Sequence, residues 1–259
     1  MDERIRDRRR SVSRQRGRQR AGLVFVAVLL LAAVGAFLWL RSSDVFAVKR
    51  VTATVTQHVS DEQIAGLASG ALGKSLLSLS TGALEEGLLD LPYVRSAEVY
   101  RRFPDTLDIR LVEYEPVARL KVQDGGVWLI TGDGRILEKV TPPRGAGLPL
   151  IIYRGALAPA AGETAPAMIV EALAVVALVG ADGFPEDGSA VLHHIVVSAG
   201  GTVVVSLKGG PELRLGDPTN LEYKLRVAKG IMEQYLRDGK QIDYIDLTTM
   251  PERVAVKAG

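Results

Sequence analysis

The chain has 259 residues, 47% of them hydrophobic and 24% charged, with no cysteine. That apolar fraction excludes wholesale disorder, and the lack of cysteine excludes a disulfide framework, a zinc ribbon and a thiol nucleophile. Residues 1–20 carry nine Arg against Asp2, Glu3 and Asp7, a net of +6, so the whole-chain +2 leaves −4 for the remainder. A nucleic-acid-binding domain needs its basic charge on the folded part, so no nucleic-acid partner is expected.

Residues 21–40 form a run without one charge, containing six Leu, four Val and two Phe. As a helix the run would be ~30 Å long, the thickness of a bilayer's hydrocarbon core. It reads as a single N-terminal transmembrane helix, with Trp39 at the depth of an interfacial aromatic. Arg8, Arg9, Arg10, Arg14, Arg16, Arg18 and Arg20 precede it and only Arg41 follows closely. The positive-inside rule therefore places a basic cytoplasmic tail at 1–20 and residues 41–259 outside, a type II topology. A cleaved signal peptide is the competing reading, but its apolar core is usually shorter.

After a short linker at 41–45, alternation at Phe46, Val48, Val51, Ala53 and Val55 predicts a strand. Ser60 followed by Gln63 predicts a capped helix burying Ile64, Leu67 and Ala68. A second helix is expected over 81–89, then two alternating strands at Val94–Tyr100 and Leu107–Leu111, turned by Phe103-Pro104-Asp105-Thr106. The order βααββ makes a compact α+β module.

Strands are next expected at Val117–Val122, Val127–Ile130 and Ile136–Val140, followed by a Pro/Gly/Ala-rich stretch over 141–166. Ala167–Val179 is apolar but too short to span a bilayer, so a buried helix is expected. Further strands fall at Ile195–Val197, Thr202–Leu207 and Leu213–Leu215. Asp217 and Pro218 should start a helix with Leu221, Leu225, Ala228, Met232 and Leu236 on one face. Tyr244–Leu247 and Arg253–Lys257 read as the last strands, giving a mainly antiparallel β domain with two helices.

Leu91-Pro92-Tyr93-Val94, Val99, Arg101 and Phe103-Pro104-Asp105-Thr106-Leu107, with Ile109, resemble the central signature of the FtsQ/DivIB family of bacterial cell-division proteins. Glu113, Pro116, Val117 and Ala118 resemble its Glu-x-x-Pro-Val-Ala junction. Leu215-Gly216, Leu221, Lys224, Leu225, Ile245-Asp246 and Pro251-Glu252-Arg253 resemble its C-terminal third. Val55, Tyr114 and Thr131 stand where the pattern has Gly, Arg and Asp. The resemblance implies a POTRA domain at 46–115 and an FtsQ-type β domain at 116–259. It also implies a non-catalytic, membrane-anchored scaffold at the division septum of the cytoplasmic (inner) membrane. Its implied partners are FtsB/DivIC and FtsL, and in the same machinery FtsW and the septal transpeptidase, with no cofactor, metal or small-molecule substrate. Two other functions are weighed: another POTRA-bearing secretion or transport component, and a signal-anchored cell-wall hydrolase.

Arg253–Lys257, close to the end of the sequence, is expected as an open edge strand, with Arg253 and Lys257 flanking Ala255 on one face and Val254 and Val256 on the other. Such charges serve as edge protection, or the edge accepts a partner's strand. The resemblance favours partner binding there, with Thr248, Thr249, Pro251 and Glu252 of the preceding loop as further candidates. Ala68–Ser75 is one glycine short of a phosphate-binding loop and follows a helix, not a strand. His193 and His194 are adjacent on a strand, so their rings are expected on opposite faces and form a poor metal pair.

Overall fold

The computed structural model describes residues 25–35, 39, 44–181, 191–249 and 253–258. The basic tail at 1–20, linker residues 41–43, Pro251 and Glu252 lie outside the described residues, as does part of the expected span at 21–40. Residues 25–35 are helical (α1). Among the described residues no helix is long and apolar enough to cross a membrane. Chain contacts define two compact units. One takes in residues up to Val55, Ser60–Gly87 and Ala97–Leu111; the other holds Thr56–Val59, Leu88–Ser96 and the chain from Val112 onward.

The βααββ order of the first module is present as β1 (Arg50–Ala53), α2 (Asp61–Ala68), α3 (Thr81–Leu89), β2 (Val94–Arg102) and β3 (Thr106–Glu113). Its sheet has the order β1-β3-β2, with β1 parallel to β3. The first strand is shorter than the alternation predicts. Asp44–Phe46 is a 3-10 turn, Ala47 bridges Ser75, and Val55 is 95% exposed. Val48 is buried beside that bridge, so the apolar pattern serves a turn before it serves a strand.

Helix α2 starts as expected. The Ser60 side chain accepts from the Gln63 N–H and the Gln63 side chain accepts from the Ser60 N–H, a reciprocal capping box. Ile64 and Ala68, four residues apart, are buried on its inner face. Leu67, expected inside, is 38% exposed; it lies off that face and leans over Gly87, where an added Cβ would sit 3.6 Å from it. Ile64→Val should therefore lower stability by about 0.5–1.5 kcal/mol, whereas Leu67→Val should stay within about 0.5 kcal/mol. Urea midpoints shifting equally for the two would contradict this packing.

The second module is built on a nine-stranded sheet of order β12-β11-β10-β9-β8-β7-β4-β5-β6. Its strands are β4 (Ala118–Val122), β5 (Gly126–Ile130), β6 (Ile136–Val140), β7 (Leu150–Tyr153), β8 (Val191–Val197), β9 (Val203–Lys208), β10 (Glu212–Gly216), β11 (Ile242–Asp246) and β12 (Ala255–Ala258). Helix α4 (Ala167–Ala181) connects β7 to β8, and α5 (Leu221–Arg237) connects β10 to β11. A strand-helix-strand crossover returns the chain in the same direction, so both of those pairs are parallel, as is β4 with β7. Among the described residues the sheet is mainly antiparallel, as expected, with five antiparallel pairings beside these three parallel ones. Strand β7 falls inside the Pro/Gly/Ala-rich stretch at 141–166, where no strand was expected. Its four residues lie between two parallel neighbours and are all apolar, so no polar position marks the outer face, although Ile151 and Tyr153 are buried and Leu150 and Ile152 only half-buried.

Helices α4 and α5 touch each other and cover β7–β8 and β10–β11 respectively. Ile169, Ala172, Leu173, Val175 and Val176 of α4 share one core with Ile151, Ile195, Val205, Leu213 and Ile245. At the far edge, Ile136 N–H donates to Glu163 and Gly162 N–H donates to Ile136, so part of β6 is capped by residues 162–164.

Candidate functional site

The site expected at the end of the chain is organised by α5 and β10–β12. Leu221, Leu225, Ala228 and Met232 form the buried stripe of α5, and Lys224 sits within it, 4% exposed. Its ammonium donates to Leu215 O at 2.7 Å, Asp217 O at 2.9 Å and Asp217 Oδ1 at 2.8 Å. Because Asp217 is engaged there and Asn220 adopts a left-handed conformation (φ 53°), the helix begins at Leu221, not at Asp217-Pro218. Leu236, expected on the buried stripe, is 49% exposed at the rim of an open cleft of about 460 Å³ lined also by Pro211, Met232, Tyr235 and Ile242.

Gly216 follows the carbonyl that Lys224 holds, with φ +70°. A Cβ there would lie 2.9 Å from Thr248 Cα, so the bare glycine lets the loop after β11 close over the end of β10. Thr248 N–H donates to Asp246 Oδ1 at 3.0 Å, and Arg253 N–H donates to Thr249 O at 3.4 Å. Thr248 and Thr249 are exposed.

Arg253 and Val254 precede β12 and are not part of the strand, which corrects the expected start by two residues. Strand β12 runs antiparallel to β11, with Ala255 opposite Asp246, Val256 opposite Ile245 and Lys257 opposite Tyr244. Val256 is half-buried against the core, and Ala255 and Lys257 are exposed. Among the described residues β12 has a strand neighbour on one side only. The outer face beside it carries both signs of charge: Lys257 pairs with Asp243 at 3.2 Å, Arg214 with Glu212 at 2.9 Å, and Arg214 stacks 4.2 Å above the Tyr244 ring.

A second constellation lies at the Glu-x-x-Pro-Val-Ala junction. Glu113 accepts backbone N–H groups from Gln57, His58 and Val59 at 2.8–2.9 Å, and lies 3.4 Å from His58 Nδ1. The His58 ring stacks on Tyr93 at 4.1 Å, and the Tyr93 hydroxyl donates to Glu138 at 2.6 Å. Arg135 donates to the carbonyls of Leu89, Leu91 and Pro92 and lies over Tyr114. These bonds all run within the second unit, which takes in 56–59 and 88–96. Sequence reasoning picked out Glu113 but not its partners, which lie over fifty residues earlier.

His193 is the extra residue of an irregularity between Leu192 and His194, so the two rings meet edge to face at 4.9 Å instead of lying on opposite faces. Among the described residues no three His, Cys, Asp or Glu side chains are grouped to hold a metal ion. Ala68–Ser75 forms the end of α2, a 3-10 turn and a bend, with no strand leading into it.

A βααββ module followed by a mixed sheet bearing two helices on one face defines a POTRA domain joined to a specialised β domain. The model for the POTRA domain, FtsQ-type, matches residues 46–114, and the model for the cell division protein FtsQ/DivIB C-terminal region matches residues 118–248. The cell division protein FtsQ of Anaeromyxobacter sp. (strain K) is 29% identical over 264 residues, covering 96% of this chain and 88% of that one. FtsQ of Myxococcus fulvus is 30% identical, covering 85% of this chain and 76% of its own. FtsQ of Neisseria meningitidis serogroup B is 27% identical over 87% of this chain and 88% of its own. The chain belongs to the FtsQ/DivIB family of cell division proteins.

Proposed function

We propose that this protein is a non-catalytic scaffold of the bacterial division machinery, anchored by residues 21–40 in the cytoplasmic membrane at the septum. Its basic tail lies in the cytoplasm, and a POTRA domain at 46–115 and a β domain at 116–259 lie outside. It binds FtsB/DivIC and FtsL, joins them to FtsW and the septal transpeptidase, and so regulates septal peptidoglycan synthesis. Family membership, the uncharged run and the arginine asymmetry support this reading.

The observation that carries it is β12, the last described strand, which among the described residues has a strand neighbour on one side only and mixed charge beside it. A partner segment adding there gains main-chain hydrogen bonds for affinity, and Arg214, Tyr244 and Lys257 supply side-chain selectivity. Proline tests this, because it removes one N–H from a strand and alternate N–H groups point inward and outward. Pro at Ala255 or Lys257 should act alike and opposite to Pro at Val256. One class unfolds the end of the sheet; the other retains the fold and loses FtsB binding in a pull-down. If the folded class binds FtsB normally, β12 is not the docking edge.

A further inference from the structure

Three segments of the first unit converge just after the uncharged run, and the division reading gives them no task. Phe46 O accepts the Leu76 N–H at 2.8 Å, and Val48 exchanges backbone bonds with Gly73 and Lys74, which ties the loop 72–79 to the start of the module. Lys49 and Arg50 N–H groups donate to Asp105 O, and the Phe46 and Phe103 rings meet edge to face at 5.9 Å, which ties in the tip of the β2–β3 hairpin. Arg101 closes the set by donating to Leu79 O at 2.7 Å.

The exposed side chains of these joined segments are chiefly apolar and cationic. Phe103 is 58% exposed, Leu72 51% and Leu77 36%. Lys49, Arg50, Lys74, Arg101 and Arg102 are all exposed. The carboxylates nearby are Asp105 and Asp108, which pair with Arg50 at 3.2 Å and with Arg102 at 2.9 Å, and exposed Asp44. Only five residues lie between Leu40 and Phe46, so the six steps reach at most ~22 Å. The headgroup layer itself adds about 5–8 Å beyond each side of the hydrocarbon core. Exposed aromatic and leucine side chains on segments that also expose Lys and Arg match an anionic lipid interface.

We propose that this patch docks on the anionic phospholipid surface of the membrane that the chain's own apolar run enters. Docking at a second point would restrict the swing of the module about its short tether. The proposal rests on residues 21–40 being a membrane span.

The chain has no cysteine, so a single introduced one gives a unique spin label in the full-length protein. In nanodiscs, labels at Val28→Cys, Leu72→Cys and Thr202→Cys are compared for collision with oxygen, which favours lipid, and with a water-soluble nickel chelate. The Val28 label should be lipid-immersed and the Thr202 label aqueous. The Leu72 label should be shielded from nickel with phosphatidylglycerol and exposed to it with phosphatidylcholine alone. Each cation near an anionic leaflet should strengthen docking about five-fold, so Arg101→Gln with Arg102→Gln should lower the docked-to-free ratio about 25-fold. Arg101→Lys with Arg102→Lys should retain docking. A nickel-exposed Leu72 label in phosphatidylglycerol, with Val28 immersed, overturns the patch and leaves the span standing. An aqueous Val28 label overturns the span and the patch with it. Shielding that appears only on adding a division partner shows a protein interface instead and also overturns lipid docking.

Discussion

Replacing Lys224 by Ala should lower stability by about 3–5 kcal/mol, because two carbonyls and a carboxylate oxygen lose their donor and the buried stem leaves a void. The ammonium binds Leu215 O, Asp217 O and Asp217 Oδ1 within 2.9 Å while only 4% exposed. Lys224→Met separates the two contributions. It restores the stem, so a variant nearly as unstable as Ala would assign the loss to the unmet carbonyls. Asp217 reports on the same bond. The Lys224 hydrogen bond, assisted by Thr219, holds its carboxyl below the ordinary 3.8. A carboxylate depressed in the folded state contributes stability above its unfolded pKa, and that contribution disappears as pH falls through the folded value. The acid limb of the melting profile should therefore flatten in both variants. Because Lys224 holds the segment next to Gly216, on which Thr248 rests, the FtsB binding proposed for β12 should weaken in the fraction that remains folded.

A lysine at position 224, between Leu221 and Leu225 in the apolar stripe, is itself a sequence signal. A charge three residues after one stripe member and one before the next must be buried or must distort the face, and here it is buried against main-chain acceptors. Its partners were not legible, because the two carbonyls belong to a turn whose geometry depends on Asn220 and Gly216. The local features were easier to read. The capping box at Ser60 and Gln63 needs only three residues of context, and the buried character of α4 follows from thirteen nearly unbroken apolar positions. Strand β7 lacked both kinds of signal, being four residues long and apolar on its half-buried face as well as its buried one. The first strand misled in the opposite direction, since Phe46 and Val48 carry the apolar pattern back into a turn and a bridge that precede the strand. At β12 the strand was legible but its start was not: the Arg253 N–H is used by Thr249, which delays pairing with β11 until Ala255.

Glu113→Ala should lower stability by about 3–5 kcal/mol, since three backbone N–H groups lose a charged acceptor in a half-enclosed place. The carboxylate side chain is 14% exposed, and no other described acceptor is bonded to those three donors. Glu113→Gln is the more informative variant. One amide oxygen can still accept from His58 and Val59, but the NH₂ then faces the Gln57 N–H, donor against donor. The loss should be about half that of Ala. Burial pushes the Glu113 carboxyl up, yet the N–H groups of Gln57, His58 and Val59, with the His58 ring, outweigh it and hold it below the ordinary 4.5. The sign follows from that lowering: stability from Glu113 is complete above its unfolded pKa and is lost as pH falls through the folded value. Wild-type melting temperature should therefore drop on acidification below about pH 4.5, and the Ala variant should drop less. Parallel acid limbs for wild type and Glu113→Ala would mean that other carboxylates carry the acid sensitivity. Because Gln57–Val59 and Tyr93 share this anchor through the His58 ring, the variant should also raise hydrogen exchange at 56–59 and 91–94 before it reaches the sheet. Exchange rising first in β8–β9 instead would show that Glu113 supports the large core, not the junction.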